Sequence, residues 1–360
     1  MPIETTSINY ISTQQAAMQW NISRRRVLAL CQTDRIPDII RIGNMWLIPK
    51  HTKKPEDNRH FRYIDSNTNA KPFLKWAGGK TQLLKEIYQY IDRASDIKKY
   101  AEPFVGGGAL LFNMLSKYNL EHVYISDINP ALINTYKQVR ENINLLIEEL
   151  SKIERAFLAL DTEKRKFFYL NQRKKFNETN LDGNAARLKS AALFIFLNKT
   201  CFNGLYRVNR RGEFNVPMGS YKNPQICDEE NLKAVSTLLQ KVEIVCGDYR
   251  QSFKFIDKNT FVYFDPPYRP LSGTSNFTSY TANSFNDEHQ KELAEYFSKI
   301  DAKKAKILLS NSDPKNNNPQ DMFFDKLYSK YNISRVLASR MINCDGKSRG
   351  QLTEVLISNF

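Results

Sequence analysis

Residues 101–109 read Ala101-Glu102-Pro103-Phe104-Val105-Gly106-Gly107-Gly108-Ala109. The β-prone run Lys99–Glu102 leads into them, and an apolar helical pattern starts near Ala109. A strand that turns through glycines into a helix is a ligand-binding junction of α/β sheets, since glycine lets the backbone come close to what is bound. From residue 71 onward, strand-like runs alternate with helical ones. Further strands are expected at 122–126, Val242–Cys246, Thr260–Phe264, 306–310 and 353–358. That alternation predicts an α/β fold with a Rossmann-like, doubly wound sheet. Between residues 131 and 240 the rhythm is broken by a long, largely helical region rich in Lys, Arg and Asn. An insertion of that kind is a natural place for recognising a target.

The glycine turn is not G-x-G-x-x-G, the spacing associated with a bound pyrophosphate. A cofactor without phosphates fits it better. S-adenosylmethionine is one, with its amino-acid end lying over the turn that Gly106 opens. Roughly 20 residues on, the next strand ends at Asp127, where a carboxylate can accept hydrogen bonds from both ribose hydroxyls. Asp127 could equally cap the helix expected after Pro130. Upstream, Trp76-Ala77-Gly78-Gly79-Lys80 places an indole beside a Gly-Gly pair and a lysine. Trp76 either packs on the cofactor, with Lys80 pairing the cofactor's carboxylate, or serves core packing alone.

The run Thr260–Phe264 has the β-branched and aromatic composition of a buried strand, and it ends in Asp265-Pro266-Pro267-Tyr268. Active sites of such folds lie at the carboxyl ends of parallel strands. Asp265 can accept one N–H of an exocyclic amino group and the Pro266 carbonyl the other, drawing the nitrogen towards tetrahedral geometry. An in-line displacement on a sulfonium methyl can then follow. Two prolines hold Asp265 extended before the base arrives, which is where a preorganised site gains most. Tyr268 offers a face on which a flipped base stacks. Taken by itself, Asp-Pro-Pro-Tyr also describes an ordinary loop; its place after a strand, downstream of the glycine turn and Asp127, is what gives it meaning. Methyl transfer that discharges a sulfonium requires no metal.

Residues 10–50 read as a compact winged helix-turn-helix. Ser12 and Gln15 fit a capping box for a helix from Thr13 to Trp20, with Ala16, Ala17 and Trp20 apolar. Ser23 can cap a second helix from Arg24, with Val27, Leu28 and Leu30 facing inward. Arg24, Arg25 and Arg26 crowd its first turn, where a recognition helix meets DNA. Gly43-Asn44 joins two short β-prone runs as a hairpin turn. The segment is similar to the small modules of excisionase- and MerR-type proteins, and its alternative is a structural or protein-binding extension. Residues 1–50 are thus expected as a module, 51–70 as a polar linker and 71–360 as the main domain.

The net charge of +15 favours polyanions, although a basic protein need not bind one. No apolar run approaches the ~20 residues that span a bilayer, so no membrane association is expected. Five cysteines (Cys31, Cys201, Cys227, Cys246 and Cys344) are scattered without a C-x-x-C pair, which suggests neither a disulfide framework nor a zinc site.

Taken in order, the motifs resemble the Dam family of DNA adenine methyltransferases (the D12 class, alpha group) over residues 71–360. The resemblance rests on Phe73-Leu74-Lys75-Trp76, the Glu102–Gly108 turn, Ser126-Asp127-Ile128-Asn129 and Asp265–Tyr268. It extends to Asn276-Phe277-Thr278-Ser279-Tyr280, Ser284-Phe285, Ser310-Asn311-Ser312-Asp313 and Glu354-Val355-Leu356-Ile357-Ser358-Asn359. It implies a Rossmann-like methyltransferase fold and adenine-N6 methylation of double-stranded DNA with S-adenosyl-L-methionine. It further implies that Trp76, Lys80, Phe104, Asp127, Tyr249 and Asp265 contact the cofactor. Residues 202–217 look like the recognition hairpin of members that methylate GATC. There the resemblance implies that Arg207 reads a guanine, Phe202 wedges into the stack, Asn203 lies beside it and Pro217 nears the thymine methyl. Without the family, Arg207, Arg210 and Arg211 could all be phosphate clamps. The N-terminal module is a departure from the family core. The expected setting is a bacterial or phage-encoded enzyme in the cytoplasm on the nucleoid, solitary or paired with a restriction endonuclease that it need not touch. Rival readings are a DNA-binding regulator on a methyltransferase scaffold, and an enzyme acting on RNA or on cytosine.

Overall fold

The computed structural model describes residues 10–20, 22–32, 36–43, 45–52, 54, 70–76, 80, 83–94, 97–269, 285–339 and 351–360. Most of the linker expected at 51–70, the Gly78-Gly79 pair, the matches at 276–280 and Ser284, the Arg26 side chain, Asn44 and Cys344 lie outside the described residues. The chain divides into two compact units, residues 1–60 and 61–360.

In the first unit, β1 (Tyr10–Ser12) runs into α1 (Thr13–Trp20), followed by α2 (Arg24–Gln32), β2 (Ile40–Ile42) and β3 (Met45–Pro49). The Ser12–Gln15 capping box forms as expected: Ser12 N donates to Gln15 Oε1 at 2.9 Å, and Gln15 N to Ser12 Oγ at 3.2 Å. Ala16, Ala17, Trp20, Val27, Leu30 and Ile48 are buried together, while Leu28 is half-buried. The three strands form an antiparallel sheet in the order β1-β3-β2. Only β1 was unforeseen; it is three residues long and gains its strand character from pairing with β3.

The second unit continues with α3 (Leu84–Arg93), β4 (Lys99–Glu102), α4 (Ala109–Lys117), β5 (His122–Asp127), α5 (Pro130–Glu141), α6 (Ile143–Leu158), α7 (Thr162–Glu178), α8 (Asn184–Thr200) and α9 (Glu229–Leu239). Then come β6 (Val242–Cys246), β7 (Thr260–Phe264), α10 (Asp287–Asp301), β8 (Lys306–Ser312), α11 (Phe323–Leu327), β9 (Asn332–Ser339) and β10 (Gln351–Ser358). Seven strands form one sheet in the order β6-β5-β4-β7-β8-β10-β9. The first five are parallel, and β10 lies antiparallel between β8 and β9. This is a mixed α/β fold with a mostly parallel central sheet.

Strand β7 explains the sheet's layering. All five of its residues are buried, as β-branched and aromatic residues are when both faces of a parallel sheet are covered. Phe261 and Tyr263 join the core that packs α3, α4, α5 and α8, whereas Val262 and Phe264 join the core beneath α10. The period of two thus serves two helical layers. From β4 the chain steps outward to β5 and β6, then returns beside β4 as β7 and steps the other way. The strand order therefore reverses between β4 and β7, the place where open α/β sheets leave a crevice at their carboxyl ends.

Helix α5 packs on β5 and β6, and α6 and α8 lie beyond it. Residues 190–198 of α8 are all buried. Their sequence, Ser190-Ala191-Ala192-Leu193-Phe194-Ile195-Phe196-Leu197-Asn198, is apolar nearly all round, as a fully enclosed helix requires.

Candidate active site

The residues singled out for the cofactor and the chemistry stand around the carboxyl ends of β4 and its neighbours β5 and β7. Gly106 follows β4 with φ +47°, and a Cβ there would lie 2.7 Å from Trp76 Nε1. A side chain at this position would both strain the backbone and collide with the indole. The Gly106 N–H donates to Asp127 Oδ2 at 3.2 Å, and the Asn129 N–H donates to Oδ1 at 2.9 Å. Asp127 does not cap the helix after it. That role belongs to Asn129, whose Oδ1 accepts from Ala131 N and Leu132 N at 3.1 and 3.2 Å. Burial pushes the Asp127 carboxyl up to about 6, with the amides of Asn129 and Gly106 opposing the shift. Each carboxylate oxygen keeps acceptor capacity beyond these amides, and a ligand bringing hydroxyl groups would use it.

Trp76 is half-buried and stacks on Tyr206, with ring centroids 5.8 Å apart and planes at 16°. Such a pair contributes ~0.5–1.5 kcal/mol beyond its burial. Asn198 of α8 fixes the same loop. Its Oδ1 accepts from Lys75 N at 2.8 Å, and its Nδ2 donates to Lys75 O at 2.7 Å and Gly204 O at 3.2 Å. Gly204 has φ +62° and lies so close to Lys75 that a Cβ would sit 2.3 Å from the lysine Cβ. One asparagine thus ties the Trp76 loop to the foot of the 202–217 hairpin. Phe104 stacks on Tyr249 at 5.3 Å and meets Phe285 edge-on at 5.9 Å, an aromatic wall beyond the glycine turn.

At the end of β7, Asp265 Oδ1 receives two bonds, from Lys80 Nζ at 2.7 Å and Ser310 Oγ at 3.2 Å. Burial raises the Asp265 carboxyl above the usual carboxylate range, and the Lys80 ammonium opposes that. The Lys80 ammonium also sits 4.5 Å over the Tyr268 ring. The sequence reading set Lys80 against the cofactor; here its ammonium bridges Asp265 and Tyr268. The backbone around the two prolines is held from below. Gln290 Nε2 donates to Pro267 O at 3.1 Å, Arg269 N donates to Asn311 Oδ1 at 3.2 Å, and Ser312 Oγ donates to Arg269 O at 3.1 Å. Gln290 and Asn311 are themselves fully buried. Pro266 is buried and Tyr268 half-buried.

Sequence reasoning missed two acidic residues here. Glu102, at the end of β4, is 3% exposed and accepts from Tyr100 Oη at 2.7 Å. Burial pushes its carboxyl up to about 8, despite the opposing Tyr100 hydrogen bond. Glu354, on β10, accepts a hydrogen bond from the Tyr268 hydroxyl. Both stand in stretches that carry the family resemblance, the Glu102–Gly108 turn and Glu354–Asn359, but that resemblance gave neither glutamate a role.

Residues 202–217 form an irregular hairpin closed by a bridge between Val208 and Phe214. Phe202 N donates to Pro217 O at 2.9 Å and Asn215 N to Arg207 O at 3.1 Å. The Arg207 Nε donates to Asn215 Oδ1 at 2.8 Å, which orients its guanidinium. Phe202 is 49% exposed, Asn203 has φ +54°, and Asn203, Arg210, Arg211 and Pro217 are exposed. From behind, α7 pins the hairpin: Tyr169 Oη donates to Val216 O at 2.8 Å, and Asn177 exchanges two bonds with the Phe214 backbone at 2.9 and 3.1 Å. In the first unit, Arg24 and Arg25 are exposed, with Arg24 Nε 3.4 Å from Thr13 Oγ1.

Residues 76–342 match the D12 class N6 adenine-specific DNA methyltransferases. The chain belongs to this family. It is 53% identical over 295 residues to the type II methyltransferase M.MjaIII of Methanocaldococcus jannaschii, a match covering 81% of this chain and 99% of that protein. It is 38% identical over 294 residues to the type II methyltransferase M1.LlaDCHI of Lactococcus lactis subsp. cremoris, covering 81% and 96%. It is 35% identical over 289 residues to the DNA adenine methylase of Haemophilus influenzae, covering 79% and 92%. As a D12 class enzyme it methylates N6 of adenine in DNA, and its methyl donor is S-adenosyl-L-methionine. The buried Asp127 carboxylate, with acceptor capacity left beyond its backbone amides, and the glycine turn beside it fit a nucleoside cofactor with free ribose hydroxyls. Among the described residues no group of His, Cys, Asp and Glu could hold a metal ion, and no helix is long and apolar enough to cross a membrane.

Proposed function

We propose that this D12 class methyltransferase modifies the adenine of GATC in duplex DNA after flipping it out of the stack. The observation that carries the target is the 202–217 hairpin: its backbone is tied down while Phe202, Arg210 and Arg211 project into solvent. Arg207, oriented by Asn215, reads the guanine, a bidentate contact typically worth ~1–3 kcal/mol of discrimination. Phe202 fills the space the flipped base leaves, with Asn203 beside it. Pro217 faces the thymine methyl, and Arg210 and Arg211 take phosphates.

In this reading Trp76, Lys80, Phe104, Gly106, Asp127, Tyr249 and Asp265 line the cofactor pocket, and Asp127 accepts from the ribose. S-adenosyl-L-methionine supplies an electrophilic methyl on sulfur. Lys80 and Ser310 occupy Oδ1 of Asp265, so Oδ2 accepts one amino N–H of the adenine and the Pro266 carbonyl the other. The amino lone pair, otherwise delocalised into the ring, is thereby freed for attack. Tyr268 stacks on the base. Gln290 and Asn311 fix the turn beforehand, so the acceptors need no rearrangement during the reaction.

Residues 1–50 act as a winged helix-turn-helix that brings Arg24, Arg25 and Arg26 to DNA, with 51–70 a linker, 71–360 the methyltransferase domain and 131–240 its target-recognition insertion. The setting is a bacterial or phage cytoplasm, on the nucleoid, within a restriction–modification system or as a solitary methylase. Transfer of labelled methyl to GATC duplexes, beside duplexes altered at one base, tests the target. Label in N6-methyladenine with GATC only is expected; equal label on altered duplexes would discard the specificity and leave the enzyme.

A further inference from the structure

The Tyr268 ring is held on several sides. Its hydroxyl donates to Glu354, the Lys80 ammonium lies 4.5 Å over its face, and the backbone on either side is bound by Gln290, Asn311 and Ser312. Glu354 comes from a strand remote in sequence. On β10 it pairs with Ser312 of β8 on one side and Val336 of β9 on the other, so the sheet register fixes where its carboxylate stands. A phenol donating to a carboxylate makes a charge-assisted bond, short and directional, and it removes the ring's freedom to swing.

We propose that Glu354 is a positioning residue for methyl transfer: through the Tyr268 hydroxyl it fixes the plane against which the target adenine is held. The proposal rests on the reading that Tyr268 stacks on the base. The structure gives Glu354 a hydrogen bond to Tyr268, and acting through that residue its effect falls on turnover and on the flipped base. Side-chain ordering of this kind is effective because a base displaced from in-line geometry loses rate steeply.

The test uses the full-length enzyme with Glu354→Ala, Glu354→Gln, Tyr268→Phe, Tyr268→Ala and the double variant Glu354→Ala/Tyr268→Phe. Turnover, KM for S-adenosyl-L-methionine and fluorescence of 2-aminopurine at the target position are read for each. Glu354→Ala and Tyr268→Phe are each expected to lower kcat about ten- to hundredfold with the cofactor KM unchanged. The double variant is expected to be no slower than either single one, because both delete the same bond. Glu354→Gln keeps an acceptor and is expected to recover most of the rate, and the 2-aminopurine signal is expected to change in Glu354→Ala but not in Glu354→Gln.

Multiplied losses in the double variant would overturn the proposal, as would a Glu354→Gln enzyme as slow as Glu354→Ala. A cofactor KM that rises in step with the loss of kcat would also overturn it, by pointing to general damage. Full activity in Tyr268→Ala would remove the stacking reading and the proposal with it. Loss in Tyr268→Ala with an unaffected Glu354→Ala would remove the proposal alone.

Discussion

The carboxyl edge of the parallel sheet and the 202–217 hairpin hold their functional side chains by opposite means. At the sheet edge the side chains themselves are fixed. Asp127 is bound by two backbone amides, Lys80 is 5% exposed against Asp265, and Tyr268 is tied to Glu354. At the hairpin the backbone is fixed, by Tyr169, Asn177 and Asn198, and apart from Arg207, which Asn215 orients, the side chains are left free: Phe202 is 49% exposed and Arg210 and Arg211 face solvent. In the proposed reading the difference follows from two tasks. Chemistry needs acceptors that stand in place before charge develops. Reading DNA needs side chains that reach a groove from a platform that does not give way.

If the sheet edge carries the chemistry, the largest effect belongs to Asp265. Asp265→Ala is expected to lower kcat by about a thousandfold or more while DNA affinity stays within a few fold. Burst-phase label transfer and a gel-shift titration on the same preparation would check both. Retained turnover would take Asp265 out of its proposed role and break the comparison at its strongest point.

Asp127 sharpens the same side through pH. Its carboxyl stands at about 6, raised by burial, so it is ionised above that pH and protonated below it. The ionised form accepts strongly at both oxygens, whereas protonation turns one of them into a donor and weakens the other as an acceptor. Cofactor affinity is therefore expected to be flat above pH 7 and to weaken as pH falls through 6, by up to about tenfold per unit at the acid end. Asp127→Asn should weaken binding at pH 7.5 by about a hundredfold and flatten that profile. Calorimetric titration with S-adenosyl-L-methionine between pH 5 and pH 8 would show it; a profile shared by wild type and Asp127→Asn would assign the dependence elsewhere.

On the hairpin side, Arg207→Ala is expected to reduce preference for the target's guanine by about ten- to a hundredfold, with binding to unrelated duplex changed far less. Competition between GATC and single-base variants measures this directly. An unchanged preference would make Arg207 a phosphate clamp. Asn177→Ala removes two bonds behind Phe214 without touching DNA or cofactor, and a several-fold loss of the same preference at unchanged cofactor KM is expected.

Legibility in the sequence divided along similar lines. Strand β7, the glycine turn and Asp127 were readable because a buried strand, a turn and a strand-end acid each show within a few residues. The choice between ribose ligand and helix cap for Asp127 was not, since Asn129 stands two residues later with the same capping chemistry. Strands β1 and β9 escaped because one is very short and the other a half-exposed edge whose partner, β10, follows it in the chain. The bonds that set the turn after β7 join distant positions: Tyr268 and Glu354 are 86 residues apart, Arg269 and Asn311 42. No local pattern records such pairs; the sheet register creates them. The hairpin's roles came from resemblance alone, and the structure adds the supports behind it.

The smallest expected effect tests the first unit, which stands outside the family match that begins at residue 76. Residues 61–360 form a compact unit of their own, so deleting residues 1–60 should leave kcat and cofactor KM unchanged. If Arg24, Arg25 and Arg26 meet phosphates, the deletion should lower DNA affinity a few fold at moderate salt. It should also reduce the slope of log affinity against log salt by about 0.9 for each phosphate that the unit neutralises. The slope is the more telling quantity, because a module that only tethers or shields would change affinity without changing the number of counterions released. Nonspecific duplex should show the same loss as GATC if the unit holds DNA without reading it. A loss confined to one flanking sequence would instead give the unit a specificity of its own, a second reading element beside the one proposed for the 202–217 hairpin.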